Sequence, residues 1–419
     1  MMKRSITAMF LVTSVMALKA NASVWEATEK WDMAHEARFG QWIKTMSPDV
    51  FSNPSSKYYG IATDCADAAY TLRTIFAYEN RLPVKFQNNE RMSNTSNAYD
   101  SIANEWERVK RFIRRLNYDT GTYSLPGDTY PVAINRSNIR AGIMFVHASS
   151  GADVPVTYRA GHVYYLQDVR ENGQIKYISS TVPQAVRELG VRIGIQFAPQ
   201  EKSSGYRAWK WPDSNDRPGY SEEQYAMGGW RAKAYGDGEL WDRWQEAVQS
   251  RIRTRHVTPQ EEFLGSAENL RSALRERASA VMRGWNLYRK NYQSGTCMNI
   301  SDYDDHSTPT RDVKIQNELQ NFEAAAKKWV LSDYKAMKQS FFDTEETRLQ
   351  RLYNSFQVEV ISGRRLGFTT LYDLFMTTKV LEISEPEHSP EVRWGLQSQG
   401  RWVCPHRAKQ YRGGHLVAQ

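Results

Sequence analysis

The chain has 419 residues, room for two or three domains, with 41% hydrophobic and 24% charged residues. That balance excludes wholesale disorder and a fibrous repeat. The formal charge of +8 includes Lys3, Arg4 and Lys19 near the start, and the remaining excess is spread without a basic tail, so nothing points to nucleic acid as a partner.

The first 22 residues have the pattern of a secretory signal: Lys3 and Arg4, an apolar run from Ile6 to Leu18, and Ala20-Asn21-Ala22 before Ser23. The run falls short of the about 20 residues that span a bilayer, and no later segment reaches that length. The expectation is an exported protein, periplasmic or secreted, cleaved after Ala22 and without stable membrane insertion.

From Ser23 to residue 200 the pattern mixes helices and strands. Cys65 to Tyr78 carries Ala69, Leu72, Ile75 and Phe76 at helical spacing, with Thr63 and Asp64 as cap residues, and Glu105 to Leu116 predicts a second, charged helix. The period then shortens: Ala141 to Val146, His162 to Leu166 and Gln174 to Ile178 read as strands, the last two joined by the hairpin signal Asn172-Gly173. Residues 201–255 are rich in Trp, Gly and Pro. They read as a connecting segment whose aromatics pack on a neighbouring domain, or as a lid or sugar-stacking surface.

Beyond residue 255 the chain turns helical. Thr258-Pro259-Gln260-Glu261 is a capping box with proline at the first helical position. Phe263, Leu270, Leu274, Val281, Trp285 and Tyr288 follow at helical spacing; Thr308-Pro309 starts a further helix, and Phe356 to Ile361 reads as a strand before a helix from Leu371 to Val380. Residues 256–419 are therefore expected to form a mainly helical domain. Cys297 and Cys404 both lie in its polar, turn-rich parts. Pairing them leaves Cys65 as the free thiol and closes a loop with a chain-entropy benefit of about 4–5 kcal/mol. The other two pairings stay open. Asp304-Asp305-His306 reads as a solvated loop, and no metal or other cofactor is expected.

The chemistry is carried by Cys65 and His162. Cys65 opens a helix, where the dipole favours its thiolate by about 0.3–1 kcal/mol; reaching a pKa near 6 needs about 3.4 kcal/mol, so a nearby imidazolium must supply the rest. His162, after Gly161, opens a strand, and His147 is its rival. Tyr58-Tyr59-Gly60, then Asp64-Cys65 at a helix start, then Gly142-Ile143-Met144-Phe145, then Gly161-His162-Val163 form an ordered series. Over about residues 55–183 it resembles the NlpC-type cell-wall peptidases and, more broadly, the papain-like and transglutaminase-like cysteine enzymes.

The resemblance implies an α+β fold: a papain-like domain over residues 23–200, its cysteine-bearing helix packed on a small antiparallel sheet. It implies Cys65 as nucleophile, His162 as general acid and base, and Tyr59 and Asp64 near the oxyanion or substrate. The family follows its cysteine with Ser-Gly, where this chain has Ala66-Asp67. Its third polar residue falls on the strand that here offers Gln174, Tyr177, Ser179 and Ser180, and Ser179 is the candidate. The implied reaction is hydrolysis of peptide amides, with peptidoglycan peptides as substrate, or amide transfer from the same parts. Against it stands a plainer reading, with Cys65 and Tyr59 as core packing and His162 as a satisfied strand residue. The protein is then a non-catalytic envelope component binding wall polymer or a protein partner. The sequence does not specify an oligomeric state.

Overall fold

The computed structural model describes residues 23–147, 161–196, 198–232, 238–292, 296–336, 344–377 and 383–398, together with Cys404, residues 411–412 and 415–416. The signal-like segment 1–22 lies outside the described residues. The chain is mixed α+β, and the N-terminal part is organised around one antiparallel six-stranded sheet.

Its elements are α1 (Met33–Thr45), α2 (Cys65–Glu79), α3 (Glu105–Asp119), the single turn α4 (Leu125–Asp128), β1 (Thr129–Pro131), β2 (Met144–His147), β3 (His162–Val169), β4 (Ile175–Ser179), β5 (Gly190–Gly194) and β6 (Gly205–Trp209). The strand order is β1-β6-β2-β3-β4-β5.

Local signals account for most of these elements. Asp64 caps α2 in a closed capping box: its side chain accepts from the N–H of Asp67, 3.1 Å away, and the Asp67 carboxylate accepts from the N–H of Asp64 at 2.9 Å. Along α3 the buried residues Val109, Phe112, Ile113 and Leu116 form one apolar stripe. Asn172-Gly173 turns β3 into β4, with Gly173 at φ 79°, a conformation that favours glycine.

Strand alternation splits the sheet into two faces. Met144, Val146, Val163, Tyr165 and Ile178 join the core that holds α1, α2 and α3. Phe145, Leu166, Tyr177 and Tyr206 join a second core with Trp244, Val248 and Ile252 of α5 (Gly238–Ile252). Residues 201–255 are thus more than a connector or lid: they supply the inner strand β6 and the helix covering one face. Trp209 and Trp244 are buried there, their indole N–H groups donating to the Tyr165 hydroxyl and the Gln196 carbonyl at 2.8 and 2.9 Å. These two tryptophans serve packing, Trp209 in the core on the α2 face and Trp244 in the core on the α5 face.

The C-terminal part is mainly helical, as its periodicity predicts. α6 (Pro259–Asn291) starts at the Thr258 capping box, and α8 (Pro309–Ala336) packs along it, with α7 (Ile300–His306) between them. α9 (Glu345–Ser355), the hairpin of β7 (Gln357–Ile361) and β8 (Arg364–Gly367), and α10 (Phe368–Thr377) close its core. The predicted final helix thus begins three residues earlier, and residues 378–380 lie outside the described ones. His306 sits at the end of α7 rather than in a loop, its Nδ1 donating to the Asp302 carbonyl at 2.9 Å. Cys297 and Cys404 are disulfide-bonded with Cα atoms 5.9 Å apart, and Cys65 is free.

Helix α6 also seals the sheet. β5 is an edge strand, and the outward N–H groups of Val191 and Ile193 donate to Ser272 Oγ and Asn269 Oδ1, each at 2.7 Å. Asn269 Nδ2 returns a bond to the Ile193 carbonyl at 2.9 Å. A bare edge that could recruit another strand is thereby paired by side chains.

Candidate functional site

Cys65 occupies the first turn of α2 on the sheet face shared with Val163 and Tyr165, whose hydroxyl donates to the Ala69 carbonyl at 3.0 Å. The thiol is buried and donates to the carbonyl of Gly161, 3.7 Å away. Beside it is a gap of only about 10 Å³, walled by Ala69, Leu72, Val163, Ile178 and Leu189. That is about the space of one water, too little for a peptide. Burial first, and then the carboxylates of Asp64 and Asp67, push the thiol up to about 12, while the N–H groups of Ala66 and Cys65 pull the other way and lose. The helix terminus that should activate the thiol is already occupied by two carboxylates of its own capping box. Asp67 is itself pushed up to about 7, by burial and then by Asp64, and Gln184 Nε2 donates to it at 2.7 Å.

His162 begins β3 directly opposite His147 on β2. Its neighbours Val163 and Tyr165 face α2, so the alternation of the strand turns the His162 ring to the other face. There it packs edge-on against Tyr164, with ring centroids 4.3 Å apart. Burial, followed by the charge of Lys314, pushes His162 down to about 3, and burial takes His147 down to about 4. Both imidazoles are therefore neutral near pH 7 and cannot supply the imidazolium that an activated thiol requires.

The other sequence candidates scatter. Ser179 ends β4, touches the gap beside Cys65 and also lines a cavity facing α6. Tyr59 is 53% exposed in the turn preceding α2, whereas its neighbour Tyr58 is buried and donates to Glu79 at 2.6 Å. Asp64 serves as the α2 cap. The fold brings the α2 terminus against the start of β3, but the reactive groups of Cys65 and His162 face opposite sides of the sheet.

A different feature has the dimensions of a ligand site. A cleft of about 700 Å³ opens between the α2–α3 connection and residues 210–217, and none of Cys65, His162, Ser179, Tyr59 or Asp64 lines it. Trp211 and the exposed Tyr123 flank it, with Phe86 and Trp31 behind, and Lys85, Gln87, Asn88, Asn215 and Arg217 supply polar groups. Three of its residues, Gln87, Asn88 and Asp213, hold left-handed backbone at φ 50°, 50° and 58°. Such strain concentrates where a chain is held for a purpose.

At its floor Asp128 is buried and accepts from the Tyr70 hydroxyl at 2.6 Å and from the N–H of Gln87. Burial lifts its carboxyl to about 6. Trp211 is positioned through Glu36, which accepts its indole N–H at 2.8 Å and pairs with Arg73 at 2.6 Å; the Arg73 guanidinium lies 3.3 Å over the Trp31 ring. No residue spacing announces this cleft. Its walls come from segments far apart in the chain, and the only local hint was the tryptophan-rich stretch containing Trp211.

Comparison with protein-family models, with curated proteins and with solved structures finds no match for this chain.

Proposed function

We propose that this chain is a non-catalytic binding protein of the cell envelope, exported through its signal-like start, that holds a strand of wall glycan in the Trp211–Tyr123 cleft. The observation that carries this reading is the cleft itself. It lies within the volume range of ligand sites, and its aromatic flanks and mixed amide, acid and basic lining are suited to the apolar faces and hydroxyls of sugars. The closed surroundings of Cys65, with its thiol pushed up and the rings of His147 and His162 on the other face of the sheet, support binding over acyl transfer.

The test is co-sedimentation of the mature chain with insoluble peptidoglycan. Tyr123→Ala and Trp211→Phe should weaken retention at least about tenfold, a loss of about 1.4 kcal/mol, and Cys65→Ala should leave it unchanged. Retention unaffected by both aromatic substitutions would end the glycan reading.

One observation favours the papain-like cysteine hydrolase as a second reading: the Cys65 thiol touches the carbonyl immediately before His162, so the two sequence elements do meet. Release of soluble wall peptides by the wild type and not by Cys65→Ala would establish it in place of the first.

A further inference from the structure

A cavity of about 270 Å³ lies where the sheet meets the helical part, between the β4–β5 connection and α6, and its walls include Ser179, Ser180, Arg187, Ser272, Ser279 and Arg283. Two carboxylates stand by it and both are matched: Glu276 pairs with Lys314 at 3.1 Å, and Glu188 with Arg275 at 3.5 Å. Arg187 and Arg283 are not matched. Among the described residues neither has a carboxylate within 4 Å, and the same holds for Arg311 at the start of α8.

The three guanidiniums are held by neutral acceptors instead. Arg187 donates to the Pro183 carbonyl, Arg283 to Ser279 Oγ at 2.5 Å, and Arg311 to the Val182 carbonyl at 2.7 Å. The Nε groups of Arg187 and Arg283 are buried and meet no acceptor among the described residues. Burial followed by the charge of the neighbouring arginines lowers Arg187 to about 9 and Arg283 to about 10. A folded protein gathers like charges around unpaired buried donors at a cost, unless something of opposite charge completes the set.

We infer that this cavity binds a phosphoryl oxyanion, free phosphate or the phosphate of a small monoester, between Arg187 and Arg283 with the cavity serines as hydroxyl donors. Guanidinium forks match the paired oxygens of a phosphate, and Arg311 adds charge from the start of α8. The volume leaves room for a small organic group on the phosphate. This site is independent of the glycan cleft, shares no residue with it, and stands whether or not that reading holds.

The thermal unfolding midpoint of the mature chain, followed in inorganic phosphate, in glycerol 2-phosphate and in acetate against chloride of equal ionic strength, tests it. Both phosphates, or one of them, should raise the midpoint saturably beyond chloride and acetate, and the stronger of the two names the source. Arg187→Gln and Arg283→Gln should each weaken the effect at least about tenfold. Arg283→Gln should also raise the midpoint without phosphate by relieving repulsion, which loss of a merely structural arginine would not do.

Broadening of the ³¹P signal of inorganic phosphate by the wild-type chain reads the same binding without any variant. No broadening and no rise beyond chloride, an equal rise in both variants, or a saturable rise with acetate alone would each overturn the proposal.

Discussion

The Cys65 thiol reaches the carbonyl oxygen of Gly161 at 3.7 Å, while the side chain of the next residue, His162, turns to the far face of the sheet. A shift of one residue in the register of β3 would exchange those faces, so the difference between a catalytic pair and two separated side chains here is a single step of strand alternation. The first prediction follows from it. At pH 7–8 native Cys65 should resist iodoacetamide, with a labelling midpoint well above that of a free thiol, because burial and the flanking Asp64 and Asp67 oppose the thiolate. His162→Ala should leave the labelling rate unchanged. Rapid labelling slowed by that substitution would return the pair to catalysis.

The two opposed imidazoles make folding sensitive to acid. Their folded pKa values are depressed below the unfolded value of about 6.5, so their neutral forms cost nothing above that pH. As pH falls below it, the unfolded chain takes up protons that the folded chain refuses, and stability declines until the folded values, about 3 for His162 and about 4 for His147, are passed. Urea unfolding at pH 7 and pH 5 should show this loss in the wild type and a smaller one in His162→Gln. An equal loss in both would count against the buried neutral state.

In the helical part, Asp312 is fully buried between cations. It accepts from Arg277 Nε at 2.5 Å, from Thr308 Oγ1 at 2.9 Å and from Ser384 Oγ, and Arg393 donates to Thr308 alongside. Asp312→Ala should cost about 3–5 kcal/mol, since it strands buried guanidinium charge. Arg277→Met, which removes a charge and keeps the volume, should leave Asp312 equally stranded and cost a similar amount. The double substitution should cost less than the sum, and a denaturant-based double-mutant cycle reads the coupling.

The sealing of β5 can be tested separately. Asn269→Ala and Ser272→Ala each leave one strand N–H without its acceptor, at about 1–3 kcal/mol if it stays buried. Hydrogen exchange should accelerate at Ile193 in the first variant and at Val191 in the second, while amides of β3 stay protected. Unchanged exchange at both positions would mean that the edge does not depend on α6.

The sequence by itself determined whatever is decided within a few residues. Asp64 spells the cap of α2, Asn172-Gly173 the hairpin, and Thr258-Pro259-Glu261 the start of α6, because caps and turns are satisfied by their own neighbours. The tertiary structure alone decided which face of β3 meets α2, since pairing His147 with His162 sets a register that alternation carries along the whole strand. It also decided the fate of residues 201–255. β6 is five residues long and its tryptophan looks like any exposed aromatic until β1 and β2 close on either side. The Trp211 cleft and the meeting of Arg187, Arg283 and Arg311 were invisible for the same reason: a cavity and a concentration of charge are properties of distances in space, and chain separation does not encode them.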